Sequence, residues 1–110
     1  MGEFISFEEF KKMDIRIGKV VHAEKVLGTD RLIRLEVDLG KEKRQLVAGI
    51  GEQYSPEDLV GLEIVVLANL KPKKIRGLLS EGMLLAAVLE GHEPVLLIPD
   101  KEVPPGTPVS

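Results

Sequence analysis

From Ile33 to Leu39 the chain alternates without a break: Ile33, Leu35, Val37 and Leu39 are apolar, while Arg34, Glu36 and Asp38 between them are charged. Successive side chains of a β-strand point to opposite faces, so this run predicts a strand with one dry face and one wet face. Such a strand is stable only in a sheet that folds over its apolar side, and the neighbouring segments read as the rest of that sheet. Upstream, Ile15 and Ile17 alternate with Asp14 and Arg16, until Gly18 and the Val20–Val21 pair break the phase as a β-bulge does. Downstream, residues 40–43 read as a hairpin loop before a third strand over 44–50. Apolar strands follow over 62–68 and 82–89, and a sixth over 94–98.

Two short helices punctuate this pattern. Ser6 and Glu9 form a capping box, with Ile5 and Phe10 placed as a staple, so a helix is expected over 7–13. Ser55, Pro56, the acidic pair Glu57–Asp58 and Gly61 supply N-cap, first position, first turn and terminator of a second helix. Prolines at 99, 104, 105 and 108 predict an extended tail that is ordered by docking. Three strands, a short helix and two more strands is the order of a five-stranded OB-fold barrel, with a short N-terminal helix and a C-terminal extension added. Another small β-barrel of similar strand count also fits the pattern. The expected class is all-β, one domain over 1–110, with the barrel over 14–89 and the extension over 93–110.

Composition narrows the chemistry. The 110 residues include 36 leucines, valines and isoleucines, enough to fill a core without staples, and no cysteine. That removes disulfides, thiolate metal sites and thiol nucleophiles, and fits a reducing compartment. No apolar run exceeds the seven residues 83–89, against the roughly 20 that span a bilayer. Glu3, Glu8 and Glu9 replace the basic start of a signal peptide, so a cytoplasmic location is expected. His22 and His92 are far apart, in a strand and in a loop, and neither has a partner at metal-ligand spacing. Gly49-Ile50-Gly51 lacks the third glycine and the helix of a dinucleotide site. Ser80-Glu81-Gly82 is followed by strand, not by the helix of a nucleophile elbow. No catalytic residue, metal or cofactor is expected.

The charges are unevenly distributed. Net charge is −3, yet residues 11–34 total +4 and residues 71–76 hold four cations and no acid. Uneven charge of this kind governs how a chain meets a polyanion. In an OB-fold the loops after strands one and four border one face, which would bring Lys25 and Arg31 near Lys71, Lys73, Lys74 and Arg76. The strands from 14 to 50 carry no aromatic residue, so a nucleic acid would be held through phosphates and sugars, which suits a folded RNA. The three phenylalanines, Phe4, Phe7 and Phe10, instead crowd the N-terminus, and a two-turn helix needs something to pack against.

Several segments resemble the tRNA-binding domain family. Phe10, Lys12, Asp14, Arg16, Gly18, Lys19 and Val20 are similar to its first strand, and residues 35–40, 44–50 and 54–61 continue the match. It is densest over 66–77 and 80–87. This family includes the C-terminal domain or β-subunit of methionyl-tRNA synthetase, a free-standing bacterial tRNA-binding protein and a eukaryotic synthetase cofactor with a cytokine fragment. The resemblance implies a cytoplasmic, non-catalytic module that grips tRNA by shape, pairs as a homodimer and serves methionyl-tRNA synthetase or acts alone. It implies tRNA-binding roles for Lys71, Lys73, Lys74, Arg76, Ser80 and Met83; Lys25, Arg31, Arg34 and Asn69 are expected to join them. Ser80 and Met83 also admit a structural reading, as a turn former and a core filler. Phe4, Phe7, Phe10, Val95 and Leu97 are expected at the dimer interface. Where the family commonly has glutamine this chain has Glu81, whose carboxylate would repel phosphate. The first loop, 26–32, also departs from the family's usual His-Pro-x-Ala-Asp-Lys-Leu. A secretion chaperone of the same superfamily, similar in size and in its Pro99-Asp100…Pro105-Gly106-Thr107 tail, is the alternative; it would bind unfolded peptides.

Overall fold

The computed structural model describes residues 2–91 and 93–110; His92 lies outside the described residues. Helix α1 (Phe7–Lys11) is capped as its sequence requires. The Ser6 hydroxyl accepts from the Glu9 amide, and the Glu9 carboxylate accepts from the Ser6 amide. It stops two residues short of the expected end, and Ile5 is exposed rather than stapled.

Strands β1 (Ile15–Lys25), β2 (Ile33–Asp38) and β3 (Lys43–Ala48) form an antiparallel meander. The 11-residue β1 serves two partners. Its first half pairs with β4 (Glu63–Leu67), from Ile15↔Leu67 to Lys19↔Glu63, and its second half pairs with β2. Register with β2 shifts between Val20 and His22, which is the bulge foreseen at the Val20–Val21 pair. The extra residue bends β1 so that one strand belongs to both halves of a barrel. Gly18, just before the bend, faces Val37 and Leu39 so closely that a Cβ would not fit.

Sheet order is β3-β2-β1-β4-β7, where β7 is Met83–Leu84, and the sheet curls into a nearly closed OB-fold barrel. Ile33, Leu35, Val37, Leu46, Ile64 and Val66 fill it. Helix α2 (Pro56–Leu59), between β3 and β4, adds Leu59 to this core. Ser55 stands at its N-cap, but its hydroxyl bonds Asp58 rather than a backbone amide, and Gly61 ends the turn in the left-handed region. No phenylalanine contributes to the buried core of the described residues.

Two segments depart from expectation. The basic stretch 71–77 is not a loop but a two-stranded ribbon, β5 (Lys73–Ile75) with β6 (Leu78–Ser80). Arg76 and Gly77, with φ of 53° and 81°, make the two-residue connection that matches the twist of such a ribbon. The expected fifth strand divides at Leu85 into β7 and β8 (Ala86–Val88), because Leu85 bonds Val65 and Leu97 while β8 turns away to pair β9 (Pro94–Leu96).

The proline-rich tail docks on β1, as expected. Gly106 donates to the Ile17 carbonyl, Ile17 to Thr107 and Val109 to Ile15, at 2.7–2.9 Å. Gly106 has φ +90° and lies against the Leu39 carbonyl and the Gly40 Cα, so a methyl group there meets backbone on a strained conformation. Gly106→Ala should therefore lower unfolding free energy by about 2–3 kcal/mol. Gly77→Ala, left-handed but in open space, should cost only about 1 kcal/mol. Urea denaturation of the two variants measures the difference.

Candidate nucleic-acid interface

Among the described residues the outer edge of β3 has no strand partner in its sheet, so its backbone groups must bond elsewhere. Side chains and backbone at 80–81 take that role. The Ser80 hydroxyl accepts from the Val47 amide at 3.0 Å and donates to the Gly82 carbonyl at 3.2 Å. The Glu81 amide donates to the Gln45 carbonyl at 2.8 Å, and the Gln45 amide donates back to Glu81 Oε1 at 3.2 Å. Gln45 Nε2 adds a bond to the Leu79 carbonyl at 2.8 Å. Ser80 is thus buried at the end of β6, its hydroxyl tying β3 to the chain after the ribbon rather than forming a turn. The Glu81 carboxylate has one oxygen committed to β3.

Charged side chains pin both roots of the basic ribbon. Arg44 Nη1 donates to the carbonyls of Ala68, before the ribbon, and Glu81, after it. Glu42 holds that guanidinium with bonds of 3.1 and 3.2 Å and reaches Arg16 at 3.3 Å; Arg16 in turn pairs with Asp14. Arg44 keeps the Glu42 carboxyl below its ordinary value, and the Arg16 hydrogen bond does the same for Asp14. Asn69, expected to face RNA, uses its amide to accept from the Asp14 backbone at 2.9 Å and to donate to the Lys12 carbonyl at 2.7 Å.

Between β3 and the ribbon lies a cleft of about 730 Å³. Arg31, Lys71, Lys73, Ser80 and Met83 line it together, so five of the ten expected residues from two distant segments converge there. None of the described residues lining it is acidic. Its remaining walls are mostly apolar, including Ile50, Leu70, Ile75, Leu84 and Val88. Met83 is 47% exposed at the cleft and does not fill the core, contrary to its structural reading.

The other expected residues lie apart. Lys74 and Arg76 are exposed on the outer part of the ribbon, and Lys25 borders a separate recess with residues 26–30. Arg34 is held by Glu24 at 2.6 Å and Gln45 at 3.1 Å, on the wet face of β2. That bond, and a second from His22, holds the Glu24 carboxyl below its usual value. Lys71, Lys73, Lys74 and Arg76 make no ion pair among the described residues. Also among those residues, no three of His, Cys, Asp and Glu are arranged to hold a metal ion, and no helix is long and apolar enough to cross a membrane.

Sequence reasoning gave Arg44 and Glu42 no role and weighed Gly49 and Gly51 only as a dinucleotide fingerprint. Gly51 lets the backbone of Asp30 and Arg31 approach and donates to the Arg31 carbonyl at 2.7 Å, and Gly49 makes room for the Arg31 guanidinium. The Gly-x-Gly spacing was the available signal: its purpose is close packing of the first loop, which carries Arg31 to the cleft.

The chain is similar to known proteins over nearly its whole length. A family model described as a putative tRNA binding domain matches residues 15–108. The methionine–tRNA ligase of Archaeoglobus fulgidus is 57% identical over 107 residues, covering 97% of this chain and 16% of the ligase. That of Thermotoga maritima is 56% identical over 106 residues, covering 96% and 17%. The chain therefore spans about a sixth of the length of these curated relatives. A MetRS-related protein from Pyrococcus horikoshii superposes with a TM-score of 0.93 at 41% identity, over 99% of this chain and 100% of that one. Chaperone CsaA from Bacillus anthracis gives 0.91 at 42% identity, over 98% and 100%.

If Ser80 acts on the barrel rather than on a ligand, Ser80→Ala leaves the buried Val47 N–H without its partner. A loss of about 1–3 kcal/mol in unfolding free energy is expected. Chemical denaturation, followed by the intensity of amide signals from β3, checks it.

Proposed function

This chain belongs to the tRNA-binding domain family, and on that premise we propose that it is a non-catalytic module that grips folded tRNA and presents it to a synthetase. One observation carries the reading: cations from two distant segments, Arg31 and the Lys71–Lys73 stretch, rim one cleft with no acid among its described lining residues. Phosphates along an RNA backbone match such a rim, while Lys74 and Arg76 extend the positive surface along the ribbon. Lys25 adds charge from the first loop. Arg34, already neutralised by Glu24, contributes little charge of its own. Asn69 and Ser80 act by holding the ribbon in place, and Met83 by lining the cleft. Because the matched ligases carry a segment like this one within a longer chain, the module's contribution is to raise the local concentration of tRNA near a methionyl-tRNA synthetase.

Replacing Lys71, Lys73, Lys74 and Arg76 with alanine should weaken all tRNAs about equally. Each lost phosphate contact should flatten the log–log salt slope by roughly 0.7–0.9. Filter binding of bulk tRNA at a series of salt concentrations measures the slope, and an unchanged slope places the RNA elsewhere. The apolar walls of the same cleft favour a second reading, an unfolded-peptide binder like the chaperone neighbour. Titrating tRNA against an unfolded peptide at two salt concentrations separates the two, since phosphate binding weakens steeply with salt and apolar contacts do not.

The module also acts, on our reading, as a two-fold homodimer. Phe4 is 96% and Phe7 68% exposed, while Phe10 is half-buried, so the N-terminal segment leaves its aromatic surface uncovered. Val95 and Leu97 point outward from β9 and beyond it. Apolar area of this kind supports a self-complementary interface, which would give one assembly two basic clefts. Sedimentation should find a dimer for the full chain and a monomer for a form lacking residues 1–10 and 94–110. A single substitution, Phe7→Glu, should dissociate the dimer while leaving the barrel folded. A full chain that is monomeric at micromolar concentration overturns this arrangement.

A further inference from the structure

We propose that the cleft between β3 and the basic ribbon takes one unpaired, unstacked base of the bound RNA, while Arg31, Lys71 and Lys73 hold the phosphates on either side of it. The inference rests on the RNA reading and goes beyond it, because phosphate contacts alone leave the cleft's interior unexplained. A helical stretch of RNA presents phosphates, sugar hydroxyls and shallow groove edges, with the flat faces of its bases stacked out of reach. Laid across this cleft it would meet the cationic rim and leave the apolar walls at Leu70, Ile75, Met83 and Val88 in water.

A base turned out of its stack fits both features. It is a flat ring of low polarity, tethered by two phosphates, and so needs apolar walls inside and cations at the mouth. The volume of about 730 Å³ falls in the range of roughly 300–1,000 Å³ for small-ligand sites, enough for a nucleotide and far too small for a helix. Met83 is half-exposed at this wall, and a thioether against an aromatic ring is a favourable contact. The lack of aromatic residues on the barrel strands is consistent with this reading: one base enters a cleft from its edge, and no platform stacks a run of them. A peptide side chain would satisfy the walls but leave three cations unmatched unless it were followed by acids. For that reason an RNA fits better than a peptide.

The test compares three RNA hairpins of equal length against the full chain at one salt concentration. One is fully paired, one carries a single bulged nucleotide, and one carries the same bulge with the base removed but the sugar and phosphate kept. The base-bearing bulge should bind about tenfold more tightly than both others. Met83→Ala should bring the ratio between base-bearing and abasic bulges close to one. Equal affinity for all three hairpins overturns the base site and leaves phosphate-borne RNA binding standing. Binding of none of them, with an acidic, apolar peptide bound instead, overturns the base site and the RNA reading together.

Discussion

Closure of the barrel depends on how the free edge of β3 is satisfied. An open sheet edge exposes unpaired amides and carbonyls, which invite foreign strands and lose protection from water. Among the described residues no strand forms a regular ladder along that edge. Instead the Ser80 hydroxyl, the Glu81 backbone and carboxylate, and the Gln45 side chain stitch β3 to the chain that leaves the basic ribbon. The same few bonds close the barrel and set the ribbon's position.

Electrostatics reinforce this arrangement from the side. Arg44 binds the carbonyls at both ends of the ribbon, and Glu42 keeps it aligned. A guanidinium suits the position because its planar fork can serve two carbonyls and a carboxylate at once, which a lysine ammonium cannot do with the same geometry. Asp14 and Glu42 are therefore occupied by the internal arginines Arg16 and Arg44. The lysines of the ribbon lack such partners among the described residues, so a chain with net charge −3 still presents a concentrated positive rim.

Glu81 shows how a residue that looks unfavourable for an anion partner is accommodated. Its carboxylate sits near the cationic stretch, yet one oxygen accepts from the Gln45 amide and its backbone bonds both Gln45 and Arg44. Partial satisfaction by a backbone N–H draws that charge toward β3. Ser80 is similar in kind: a hydroxyl expected to face a ligand is instead spent on bonds to Val47 and Gly82. Met83, two residues beyond Glu81, lines the cleft with Ser80 and Leu84 and is half-exposed there.

Local chemistry made much of this legible from sequence. Period-two alternation set the buried faces of β1 and β2, the Val20–Val21 pair marked the bulge, and Ser6 with Glu9 marked a helix start, because each depends on residues a few positions apart. The clustering of cations at 71–76 was equally plain. Tertiary structure decided what those pieces meet. The ribbon itself is a local hairpin, its paired residues only three to seven positions apart. That Arg34 is neutralised by Glu24, that Ser80 is consumed by Val47 and that Asn69 ties down Lys12 and Asp14 depend on partners 10 to 57 residues away. The split of the expected fifth strand has the same origin, since Leu85 is claimed by Val65 and Leu97. A strand's periodicity reports which way its side chains point, whereas its length and its use are set by whichever distant backbone offers the next hydrogen bond.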